Sequence, residues 1–169
     1  MPEGKYVTSE SEFRILPGVP EAIAKLNLAG IRVLVVTNQR GVALGAVTSE
    51  FVERIHAVLQ EQLMGHHAHV DAFYFCPHDK RSCSCRKPLP GLFHQAVREF
   101  PEITPESSVM IGDSLSDIEF GHRIGMQTIW LQGSTNHRKP GWEKAETLAV
   151  VCLVSLPEAV DTILLARNR

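Results

Sequence analysis

Three cysteines and one histidine crowd into a single stretch, Cys76-Pro77-His78 followed after four residues by Cys83-Ser84-Cys85. Three thiolates and one imidazole complete a tetrahedral zinc shell, and with no position left for water the site is structural in type. In a reducing compartment such crowding points to metal ligation over a disulfide framework. The fourth cysteine, Cys152, stands alone in an apolar run and reads as core. His66, His67 and His69 form a second cluster without thiol neighbours, and solvation or hydrogen bonding accounts for them. Directly behind Cys85 come Arg86-Lys87-Pro88. A zinc-fixed loop would hold both cations in place, Lys87 to neutralise a phosphoryl group and Arg86 to grip a second polar group; without zinc they are a solvated basic pair.

Two further segments carry chemistry. Val36-Thr37-Asn38-Gln39-Arg40-Gly41 puts a hydroxyl, amides and turn-forming residues at the end of an apolar run. Phosphate accepts hydrogen bonds from such groups, although an ordinary strand-to-loop turn would use the same residues. Val109-Met110-Ile111-Gly112-Asp113-Ser114-Leu115-Ser116-Asp117 places Asp113 at a strand end, suited to an oxygen ligand of Mg2+. Asp117 falls in the first turn of the following helix, where it either reaches the metal through water or complements the helix dipole.

The elements that must position these residues follow from periodicity. Near-continuous apolar runs at Ile31 to Val36, Ala72 to Phe75, Val109 to Ile111, Thr128 to Leu131 and Ala149 to Val154 read as strands buried on both faces of a parallel sheet. Between them, Phe51, Ile55, Val58, Leu59 and Leu63 share a helical face after the capping candidates Thr48 and Ser49, and Leu92, Phe93, Ala96 and Val97 do so after Pro90. Alternation of this kind predicts an α/β fold, a doubly wound parallel sheet whose ligands sit at the carboxyl ends of the strands. The Gly and Pro clusters at Leu16 to Pro20 and Gly133 to Gly141 read as loops.

At 169 residues, 44% hydrophobic and 21% charged, the chain has ordinary globular composition, and a single domain over residues 1–169 is expected. No apolar run approaches the roughly 18 residues of a membrane span. Nothing at the N-terminus reads as a signal or transit peptide, which predicts a cytoplasmic protein. A formal net charge of -2 provides no basic field for a nucleic-acid backbone.

Taken in this order, Thr37-Asn38, the Cys-x-His and Cys-x-Cys pair, Arg86-Lys87-Pro88 and Gly112-Asp113-x-x-x-Asp117 resemble the haloacid dehalogenase superfamily. Within it, the chain is similar to the heptose-1,7-bisphosphate 7-phosphatases and the related histidinol-phosphate phosphatases. The resemblance implies a monomeric magnesium-dependent phosphatase of a small phosphorylated metabolite, with a structural zinc. It gives Thr37 and Lys87 to the transferring phosphoryl group, Asn38, Gln39, Arg40 and Arg86 to substrate, Asp113 to magnesium, and Glu3, Gly4, Lys5 and Tyr6 to a substrate-contacting loop. Ser114 stands where heptose phosphatases carry a basic substrate-contacting residue, and the short loop between the zinc halves leaves heptose and histidinol substrates both open.

The family opens on a strand ending in Asp-x-Asp-Gly-Thr, whose first Asp attacks phosphorus and whose second is the general acid and base. In this chain no Asp precedes Asp71, and none of Glu3, Glu10 or Glu12 ends a buried strand. The chain by itself is therefore expected to be inactive. The resemblance puts that strand at the centre of the sheet, between the strands ending at Thr37 and Ile111. Without it, the flanking strands close up, Tyr6 to Phe13 fills the gap, or the isolated chain is unstable. A non-catalytic zinc-stabilised domain that binds phosphorylated ligands or a protein is the competing reading.

Overall fold

The computed structural model describes residues 6–133 and 138–167, so the expected contacts of Glu3, Gly4 and Lys5 lie outside the described residues. Two compact units are present. One is built on Ser84–Ala159, the other on the described residues up to Cys83 together with those from Val160 onward.

The unit ending at Cys83 contains α1 (Val19–Leu28), β1 (Leu34–Asn38), α2 (Arg40–Ala43), α3 (Ser49–Met64) and β2 (Ala72–Cys76). Gly18 takes a left-handed conformation at φ 77° as the N-cap of α1, and Pro20 follows inside the first turn, where its missing N–H costs nothing. The loop expected over Leu16 to Pro20 thus already becomes helix at Val19. Thr48 caps α3 as expected, its hydroxyl accepting from the Phe51 N–H at 3.2 Å. Strands β1 and β2 run parallel, with Leu34 opposite Ala72 and Asn38 opposite Cys76. Asp71 clamps the start of the pair: its carboxylate accepts from the Val33 N–H at 2.7 Å, and its own N–H donates to the Val33 carbonyl at 2.8 Å.

The other unit carries α4 (Gly91–Glu99), β3 (Val109–Gly112), α5 (Leu115–Ile124), β4 (Gln127–Leu131), α6 (Trp142–Leu148) and β5 (Val151–Leu153). Its three strands are parallel and adjacent in chain order. Helix α5 lies close on the sheet at Gly121, where a Cβ would come within 2.6 Å of Thr128 Cγ2 and 2.8 Å of Met110 Cβ. Ile118, Trp130 and Ala145 form the buried centre, with Cys152 packed partly buried against them. Trp142 stacks on Trp130 at 6.4 Å, and the Arg138 guanidinium lies 4.3 Å from the Trp142 ring centre. Helix α7 (Leu156–Arg167) closes the described chain.

Each of the five apolar runs overlaps a strand, and the parallel α/β class is as the sequence predicts. Two details differ. The first strand begins at Leu34 and runs through the polar Thr37 and Asn38, because the ladder with β2 continues to the Asn38–Cys76 pair. Every β1 residue is also only half-buried, where burial on both faces was expected. Among the described residues β1 pairs with β2 alone and β3 with β4 alone. Among the described residues β1 and β3 are not hydrogen-bonded neighbours, and Tyr6 to Phe13 holds a short 3-10 turn at Glu10–Glu12 and no strand. No helix among the described residues is long and apolar enough to cross a membrane.

Candidate metal centre and phosphate site

Cys76 is the last residue of β2, so the ladder that ends at Asn38 also fixes the first thiol. Its Sγ lies 3.5 Å from Cys83 Sγ and 3.7 Å from His78 Nδ1. With Cys85 included, all four candidate ligand atoms lie within 4.8 Å of one another, and none of the cysteines is in a disulfide. Metal–ligand bonds of about 2.3 Å to sulfur and 2.1 Å to nitrogen set tetrahedral edges of roughly 3.5–3.8 Å, so the donor set and its spacing fit zinc. Downstream, the Gly91 N–H donates to the Ser84 carbonyl at 3.1 Å. A Cβ at Gly91 would come within 2.6 Å of that oxygen and 2.7 Å of Cys85 Cα, so α4 can start against the loop only with glycine there.

The turn after β1 is tied to this loop. The Gln39 N–H donates to the Cys76 carbonyl at 2.8 Å, extending the ladder by one bond, and the Gln39 side-chain amide donates to Thr37 Oγ1 at 3.1 Å. Arg40, first residue of α2, donates from Nε to Asp79 Oδ1 at 2.6 Å. The Asp79 hydrogen bond and charge hold the Arg40 guanidinium above its ordinary pKa. Tyr6 covers the next residue: a Cβ on Gly41 would sit 3.0 Å from Tyr6 Cδ1.

Lys87, Ser114 and Asp117 form a second group. Lys87 is only 8% exposed, and its Nζ lies 2.6 Å from Asp117 Oδ1. Asp117 Oδ2 accepts from the Ser114 N–H at 3.1 Å and from the Ser114 hydroxyl at 2.6 Å. The carboxylate thus closes the first turn of α5 with one oxygen and holds the lysine with the other. Gly112 makes room for it, since a Cβ there would overlap the Asp117 side chain. Asp113, by contrast, is half-exposed and pairs with Lys139 at 2.7 Å. One accessible carboxylate held by a surface ion pair fits the usual Mg2+ set of one or two carboxylates completed by water and phosphate. Arg86 is half-buried, and its carbonyl accepts from the Leu89 N–H at 2.9 Å.

Sequence reasoning missed Asp79 and Lys139 altogether. For Asp117 a signal existed, because Ser114-x-x-Asp117 has capping-box spacing. For the Arg40–Asp79 contact none did, since the partners are 39 residues apart.

A D-glycero-beta-D-manno-heptose-1,7-bisphosphate 7-phosphatase of Vibrio cholerae is 34% identical over 167 residues, covering 94% of this chain and 88% of that protein. Residues 84–152 match the HAD-hydrolase-like family model. The chain belongs to the haloacid dehalogenase-like hydrolase family. A second relative, the D-glycero-alpha-D-manno-heptose-1,7-bisphosphate 7-phosphatase of Mycobacterium bovis, is 41% identical over 122 residues. That match takes in 72% of this chain and 64% of the Mycobacterium protein, less than two thirds of its length. Among solved structures, the D,D-heptose 1,7-bisphosphate phosphatase of B. bronchiseptica, complexed with magnesium and phosphate, superposes with a TM-score of 0.82 at 28% identity. The overlap is 95% of this chain and 89% of that one, so the parallel α/β fold is the family's own.

Proposed function

We propose that this chain forms the bulk of a phosphatase that removes the 7-phosphate of D-glycero-D-manno-heptose 1,7-bisphosphate. The observation that carries the reading is Lys87: it follows the metal loop directly and is buried against Asp117, which itself closes α5. A buried ammonium fixed in this way is a preorganised charge for a phosphoryl group, costing no reorganisation during the reaction. The similarity to named heptose phosphatases supports the substrate.

In the proposed reaction an Asp carboxylate attacks phosphorus, the bond from phosphorus to the sugar oxygen breaks, and a second Asp protonates the leaving oxygen. Water then hydrolyses the aspartyl phosphate. Neither Asp lies before Asp71, so residues 1–169 by themselves are proposed to be inactive. Lys87 offsets charge on the transferring group, and the Thr37 hydroxyl donates to it from the end of β1. Asn38, Gln39, Arg40, Arg86, Ser114 and the Glu3 to Tyr6 segment orient the sugar. Asp113 would hold Mg2+, which supplies Lewis-acid neutralisation of phosphate charge. Cys76, His78, Cys83 and Cys85 would hold structural Zn2+. Asp117 is assigned to holding Lys87, since its oxygens are taken by Lys87 and Ser114. The cysteines clustered for a metal and outside any disulfide support a reducing cytoplasmic setting, and the acidic net charge supports a partner list without nucleic acid or membrane. We also infer a monomer.

The test is phosphate release from heptose bisphosphate, with histidinol phosphate in parallel, by this chain preceded by a strand ending in Asp-x-Asp-Gly-Thr. Magnesium-dependent turnover of the heptose is expected, and Lys87→Ala and Asp113→Ala should each lower it by at least ~100-fold. Preference for histidinol phosphate would move the assignment to that substrate.

A further inference from the structure

The Arg40–Asp79 pair joins the turn after β1 to the loop that bears the metal ligands. Asp79 follows His78 directly and precedes Cys83, so its backbone goes wherever the ligands go. Its carboxylate is built into the loop's own turn: Oδ1 accepts from the Lys80 N–H at 2.6 Å as well as from Arg40, and the Asp79 carbonyl accepts from the Ser82 hydroxyl at 2.8 Å. Two residues on, Arg81 sits at φ 61°, a left-handed conformation that costs a non-glycine residue about 1–2 kcal/mol. A turn strained in this way and exposed at its tip holds its shape best when ligation pins it on both sides. Arg40 is correspondingly hemmed in. The Gln39 N–H bond to the Cys76 carbonyl fixes the preceding residue, and Tyr6 covers the following one.

We propose that Asp79 is a positioning residue through which metal occupancy of the Cys76–His78–Cys83–Cys85 centre sets the placement of Arg40, and thereby grip on the phosphorylated sugar. With Nε committed to Asp79, the outer edge of the guanidinium faces substrate and meets phosphate or hydroxyl oxygens in a fork. This substrate end rests on the function proposed above; the tie between Arg40 and the metal loop does not. Coupling of this kind is reciprocal, so whatever metal does for Arg40, Arg40 does for metal affinity. Because the two side chains are 36% and 45% exposed, the effect is modest.

The experiment measures zinc affinity of the 169-residue chain by competition with a chromophoric chelator. Arg40→Ala, Asp79→Asn and Arg40→Lys are each expected to weaken zinc by about 2- to 5-fold, the double variant Arg40→Ala/Asp79→Asn no more than either single change. Additive effects, or wild-type affinity in Arg40→Lys, overturn the proposal, the second because charge alone would then suffice. A measurement on unaltered protein guards against misfolded variants: the Arg40 Nε–H resonance should be sharp with zinc and collapse when zinc is stripped, and persistence after stripping also overturns it. Calorimetric binding of heptose bisphosphate to zinc-loaded protein should weaken in both Arg40→Ala and Asp79→Asn. Undiminished binding by Arg40→Ala, alongside the expected zinc results, removes Arg40 from the substrate site and leaves the tie to the metal loop standing.

Discussion

At the scale of single residues, the Lys87–Asp117 pair is the most consequential contact. Two opposite charges under 10% exposed hold each other out of water, and removing one strands the other. Asp117→Ala should therefore destabilise the chain by about 3–5 kcal/mol in urea unfolding, with loss of the α5 cap included. The double change Lys87→Met/Asp117→Leu should recover most of that loss, because an apolar pair of similar volume needs no desolvation. Gly112 belongs to the same arrangement. Gly112→Ala drives a methyl into the Asp117 side chain and should cost about 1–3 kcal/mol by the same assay, since a packed carboxylate with two sets of partners has nowhere to retreat.

At the scale of elements, the metal loop and the α3–β2 contact are the parts that respond to solution conditions. One zinc per chain is expected on metal analysis. Its removal by chelator should lower the melting temperature and open the Lys80–Arg81 segment to trypsin, which mass spectrometry of the fragments would detect. On α3, His56 stacks on Phe73 of β2 at 4.6 Å, and burial pushes its pKa below the ordinary value. The unfolded chain binds this proton near pH 6.5 while the folded chain resists it, so just below that pH the unfolded state holds more protons. Stability should fall as pH drops through about 6.5 and level off once the depressed folded pKa is passed. Replacing His56 by Phe keeps the stacked ring and should flatten the pH dependence of urea midpoints between pH 7 and 5.

At the scale of the whole molecule, the described strands form a parallel pair and a parallel triple, leaving β1 and β3 with one hydrogen-bonded neighbour each among the described residues. Half-burial along all of β1 is the packing counterpart of that division. A parallel strand covered on both faces gains most from two neighbours, because unpaired N–H and C=O groups that leave water cost roughly 1–3 kcal/mol each. Preceding the chain with a strand ending in Asp-x-Asp-Gly-Thr should therefore raise the urea midpoint and sharpen the transition along with conferring turnover. Gain of turnover without any gain in stability would show that the added strand does not join the sheet.

Much of this protein follows from local pattern. Apolar runs place every described strand, Thr48 announces α3, and the spacing from Cys76 to Cys85 marks a cluster that could hold a metal ion, because periodicity, capping and tetrahedral ligation each act over a few residues. Strand ends were less legible: the apolar run stops at Val36, and it is the ladder partners Phe75 and Cys76 that carry the strand through Thr37 and Asn38. The division of the sheet, the burial of Lys87 on Asp117 and the salt bridge from Arg40 to Asp79 were decided by tertiary structure alone. Each depends on groups brought together across 30 or more residues, or on which strand edges find a partner, and side-chain type carries no record of either.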